Sequence, residues 1–174
     1  MRPRSIARAW VTAWLFAGVC DLTAACIHAG FLGAKPVAVF KFVASGLIGR
    51  EAALAGGAST ALLGIAMHFV IAFGAAGTYL GLSRLWRFLM DHPFVAGPLY
   101  GIAVYWFMQL VVIPLSAITP RPQPLSNRLI GIGIHIVCVG LTIAWSVSRF
   151  APRPTEGVGR GNAAAPPSSS HSLT

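Results

Sequence analysis

GASTALLGIAMHFVIAFGAAGTYLGL, residues 57–82, is a run of 26 residues that contains no Lys, Arg, Asp or Glu. At 1.5 Å rise per residue a helix of that length covers about 39 Å, enough to cross a bilayer core with some tilt. Its strongly polar side chain is His68, near the middle, with Gly64 one turn before it. The reading is an integral membrane protein, and an ionisable group inside a membrane helix is a functional-site candidate by default.

Composition agrees. Of the 174 residues 56% are hydrophobic and 10% charged, against roughly 25% charged in a soluble domain. Mean hydropathy is +0.72. The formal charge of +9 could suggest nucleic acid, but the 13 basic residues lie mostly in the gaps between apolar runs rather than on one face. No nucleic-acid partner is expected; the bilayer is. Cys20, Cys26 and Cys138 all fall inside apolar runs with no CxxC among them, and they read as small packing residues.

Three further apolar runs accompany the first. MRPRSIAR precedes an apolar stretch over residues 9–32. That order resembles a secretory signal, but the run is too long for such a core and Asp21 interrupts it, so it is read as the first span, with Trp10 and Trp14 near the interface. The third span covers 93–118 and carries Pro98 and Pro114; the latter bends or ends it. The fourth covers 129–147. SRLWRFLMDHP, 83–93, reads as a short basic loop, and TPRPQPLSNR, 119–128, as a stiff extended connector. Residues 35–57, KPVAVFKFVASGLIGREAALAGG, hold Lys41 and Arg50-Glu51 and cannot span cleanly; a short accessory helix tucked against the bundle is expected. The fold expected is all-α: a four-helix membrane bundle over 1–149 and a disordered tail over 150–174.

Four spans place both ends on one side. With those ends cytoplasmic, that side holds Arg2, Arg4, Arg8, Arg84, Arg87, Arg149, Arg153 and Arg160. The other holds Lys35, Lys41, Arg50, Arg121 and Arg128, so the positive-inside rule favours cytoplasmic termini in a bacterial inner membrane.

Threading direction then gives each polar residue a depth. Asp21 falls near the midplane, and His28, seven residues on, shares its helix face. His68 and His135 enter from the outer ends of the second and fourth spans, and Tyr105 and Gln109 lie one turn apart in the third. Asp21, His28, His68, Tyr105, Gln109 and His135 are therefore the candidate polar cluster of the bundle interior. The leading function is movement of protons or a small solute, with Asp21 and the histidines as relay groups. The alternatives are interhelical hydrogen-bonding glue, worth roughly 0.6 kcal/mol per bond, in a structural or interaction protein that forms homo-oligomers. A metal held by His28, His68, His135 and Asp21, or a haem between His68 and His135, is a third class, although no i, i+4 histidine pair marks it. The sequence itself calls for no cofactor. Without a nucleophile–base motif, a phosphate loop or paired carboxylates, it points away from hydrolase chemistry. Gly64, Gly97, Gly101 and Gly131 are expected at helix–helix contacts, where small residues let backbones approach.

GIAMHFVIAFGAAGTY (64–79), with His68 at that family's membrane histidine, resembles the YagU-like family of bacterial inner-membrane proteins. So does PLSAITP (114–120), followed by the helix with His135. The resemblance covers about the C-terminal two thirds and does not reach Asp21 or His28. It implies a multi-span inner-membrane protein and brings no catalytic residues.

Overall fold

Ser5 starts the first helix: its hydroxyl accepts a hydrogen bond from the Arg8 N–H at 3.1 Å, and the chain then stays helical through Ile6–Phe31, α1. The structure, a computed structural model, describes residues 4–118 and 122–153. Among them every regular element is a helix: α2 (Pro36–Ile48), α3 (Arg50–Ala55), α4 (Ala58–Leu85), α5 (Phe88–Asp91), α6 (Pro93–Leu115) and α7 (Leu125–Phe150) follow α1. Prolines open α2 and α6, where their missing N–H costs nothing. Helices α1, α4, α6 and α7 are each long and apolar enough to cross a membrane, and they make the four-helix bundle.

Several boundaries move from those expected. The second long helix runs on to Leu85, because nothing in Ser83, Arg84 or Leu85 breaks it, and Ser83 is fully buried. Phe88–Asp91 is a helical turn within the stretch read as a loop. The third helix stops at Leu115, just past Pro114. The fourth begins at Leu125, after Pro124, so the end of the supposed connector is helical. Of the expected tail, Phe150 ends α7 and Ala151 is buried, with the Pro152 carbonyl accepting from Arg84; the remainder lies outside the described residues. The accessory segment is two helices rather than one, parted at Gly49, whose φ of +80° suits only glycine. That break frees the Gly46 carbonyl, which would bond Arg50 in an uninterrupted helix; it accepts instead from the Ala117 N–H at 2.9 Å, tying α2 to the end of α6.

Helix α1 lies between α4 and α7, α6 packs on α7, and α2 lies along α4. The buried faces are made of small residues: Ala9, Ala13, Ala17 and Gly18 on α1, and Gly97 and Gly101 on α6. Large apolar side chains point outward, among them Phe16 and Val19 on α1, Leu62 and Val70 on α4, Leu99 and Leu110 on α6, and Val137 on α7. A water-soluble bundle arranges these the other way round. Trp10 and Trp14 sit in the α1–α4 seam. Their indole N–H groups donate to the carbonyls of Phe73 at 3.1 Å and Phe69 at 2.8 Å.

Helices α6 and α7 meet backbone to backbone. A Cβ on Gly101 would stand 2.7 Å from the Ile136 Cα, and one on Gly140 would run into the Gly97 carbonyl. Gly97 faces the Leu141 backbone at 3.0 Å, and Gly131 makes room for the Tyr105 ring. Gly64 does the same service against α2, where a Cβ would stand 2.6 Å from the Phe40 carbonyl carbon. Gly131 and Gly140 both face α6 although nine residues of α-helix rotate through about 900°, which would set them on opposite sides. The π-helical stretch His135–Leu141 absorbs the difference. A second π stretch, Met108–Val112, precedes Pro114, whose ring displaces the carbonyl four residues back.

These contacts predict an asymmetry among glycines. Gly101→Ala and Gly64→Ala should each lower the thermal midpoint of the detergent-purified protein, by a strain of about 1–3 kcal/mol. Gly74→Ala, with nothing within 4 Å of the added methyl, should leave it unchanged or raise it through better helix propensity. Equal midpoints for all three variants would show that α6 and α7 do not meet backbone to backbone.

Candidate functional site

Helices α4 and α6 do not pack directly; side chains bridge them. The Tyr100 hydroxyl donates to the Ala75 carbonyl at 2.7 Å, and the Tyr79 and Tyr100 rings meet edge to face at 4.9 Å. The space left between the helices is a cavity of about 280 Å³, walled by α1, α2, α4, α6 and α7. Its lining is mainly apolar, with Met67, Met108 and Phe42 among the larger groups. Asp21, His68, Ser116 and His135 are its polar members.

His68 reaches it from α4. Its Nε2 stands 3.0 Å from the Gly18 carbonyl. A carbonyl can only accept, so Nε2 carries the hydrogen. The same nitrogen is 4.0 Å from Asp21 Oδ2, one turn along α1 from Gly18. Phe69 meets the imidazole edge to face at 5.7 Å and, where Gly18 has no side chain, fills the seam with α1. Asp21 is about five-sixths buried, and its Oδ1 has no hydrogen-bond partner among the described residues. One carboxylate oxygen therefore stands beside the imidazole while the other faces no donor.

His135 comes from α7 at the first residue of its π stretch. Nδ1 donates to the Gly131 carbonyl at 2.9 Å, which leaves Nε2 as the acceptor of the ring. Tyr105 packs on the imidazole edge to face at 5.4 Å, held between Gly131 and His135. Asp21, His68 and His135 thus line one cavity, and Tyr105 backs the last of them.

Two of the candidates go elsewhere. His28 lines neither this cavity nor the neighbouring one: seven residues share a face but are about 10 Å apart along the axis, which carries it past the site. Gln109 lies in the π stretch of α6 and is not among the residues that line the cavity of Asp21, His68 and His135. It lines a second cavity of about 290 Å³ with Lys41, Arg50 and Gln123. Among the described residues no three His, Cys, Asp or Glu side chains converge in a way that could hold a metal ion. The proposed ligand set of three histidines and Asp21 is therefore not assembled: His28 lies away from the cavity, and Asp21, His68 and His135 line it without converging on one point. For a haem, His135 has the tautomer of an axial ligand, but the Nε2 of His68 is turned to a backbone carbonyl.

Sequence reading passed over two features. The thiols of Cys20 and Cys138 are within hydrogen-bond reach across the α1–α7 seam, close to Asp21; the adjacency of Cys20 to Asp21 was the available signal. Lys41, Arg50 and Gln123 surround Gln109, and the signal there was a lysine set inside an otherwise apolar helix. No protein-family model, curated protein or solved structure matches the chain.

Proposed function

We propose that this is a multi-pass protein of the bacterial inner membrane whose Asp21–His68–His135 cavity passes protons or a small solute. The observation that carries this reading is the Asp21–His68 pair, 4.0 Å apart and lining a cavity between four apolar helices. Ionisable groups are expensive in such a setting and are retained where they act. Asp21 takes a proton, and His68 accepts or returns one at its other ring nitrogen while Nε2–H stays on Gly18. His135 offers Nε2 from the opposite wall. Residues on outward faces support placement in lipid, as does the resemblance of residues 64–79 to the YagU-like proteins.

Orientation rests on the basic residues. Arg8 stacks over Phe150, Arg84 bonds Pro152, and the Ser5 N–H donates to the Phe150 carbonyl, so the start of α1 and the ends of α4 and α7 share one arginine-rich end. We assign that end to the cytoplasm. Alkaline phosphatase fused after Thr174 should be inactive and, inserted at Pro122, active; the reverse pattern would invert the assignment.

A second reading has its own support: both histidines bond helix carbonyls, as glue would. The two separate in proteoliposomes carrying an internal pH-sensitive dye under an imposed potential. The protein should acidify the lumen faster than empty vesicles do. His68→Gln, which keeps a donor but cannot titrate, and Asp21→Asn should each cut the rate at least about tenfold at unchanged folded yield. Wild-type flux no greater than that of His68→Gln would leave only the glue.

A further inference from the structure

The second cavity lies between α2–α3 and the end of α6, and its polar lining has one sign. Lys41 enters from α2, Arg50 from the first residue of α3, and Gln109 and Gln123 from the α6 side; no carboxylate lines it. The carboxylate nearest in sequence, Glu51, is exposed and is not part of the wall. Lys41 is half-buried in an apolar helix and donates one hydrogen bond, to the Leu54 carbonyl at 3.1 Å, so two of its three N–H groups are uncommitted. Arg50 makes no hydrogen bond or ion pair among the described residues. Two cations facing one 290 Å³ space with no counter-charge repel each other, and an anion between them removes that cost.

We propose that this cavity is a binding site for a phosphate group. The guanidinium fork can take two phosphate oxygens, the ammonium a third as a point charge, and the two carboxamides complete a donor set larger than a carboxylate would use. The surroundings suit a phosphate that carries a hydrocarbon chain, since Phe42 and Leu54 line the same cavity and are more than half exposed. Free phosphate and a lipid headgroup share the recognising chemistry. The site stands apart from the Asp21–His68 reading, although Phe42, Ile113 and Ile118 form a wall common to both cavities.

The test is the thermal midpoint of the full-length protein in an uncharged detergent at constant ionic strength. It is titrated separately with inorganic phosphate, short-chain phosphatidylglycerol and short-chain diacylglycerol, which lacks the phosphate. A saturable rise with inorganic phosphate identifies a free-anion site; a rise with phosphatidylglycerol alone identifies a headgroup site. In either case Arg50→Gln should weaken the apparent affinity about tenfold, the loss expected for one charge-assisted contact. Gln109→Leu should weaken it severalfold while leaving net charge untouched, which separates a built site from the general attraction of a +9 chain. Arg50 is exposed, so its variant should fold even if Lys41 variants do not. No rise with either anionic probe, an equal response to diacylglycerol, or wild-type affinity in both variants would each overturn the proposal.

Discussion

The rest of the bundle depends on the backbone contact between α6 and α7. Gly97, Gly101 and Gly140 let the two chains touch where any side chain would hold them apart. In a setting where the surroundings are as apolar as the side chains, burying hydrocarbon gives little reason for helices to associate; packing and hydrogen bonding must supply it. The alanines of α1 and Gly64 of α4 repeat the device at the other seams, which explains why the largest apolar groups are left to the outside.

A bundle packed this tightly has room for a cavity only where one pair of helices is kept apart. That pair is α4 and α6, spanned by tyrosines whose rings set a spacing and whose hydroxyls satisfy carbonyls. Both π stretches border the gap, through Met108 and Val112 on one side and His135 and Val139 on the other. The wide turns re-aim side chains that a regular helix would send elsewhere, a common use of π geometry at functional sites. His135 thus sits where the α6–α7 contact borders the gap between α4 and α6.

The four long helices were legible because length and absence of charge leave no alternative for such runs. The glycine contacts followed from small residues at four-residue spacing. The ends were less readable: Ser83 and Leu125 carry no local signal that decides between helix and loop, and packing against other helices settles them. For the site, depth was readable and azimuth was not. Asp21, His68 and His135 line one cavity, whereas His28 overshoots along the axis and Gln109 lines the neighbouring cavity.

The π stretch of α7 also fixes how this chain can change length. Each residue of an α-helix turns the chain about 100°, so an inserted or deleted residue normally rotates everything beyond it off its partner. Here one extra residue is already stored between Gly131 and Gly140. Its removal would convert the wide turns to ordinary α-helix, with the two glycines eight residues apart and still on the side that meets α6. A residue added at the same place would throw one of them off that side. Single-residue loss in this helix is thus a tolerated step and single-residue gain is not. The part of the molecule that would feel the loss is the His135 ring, not the bundle that carries it.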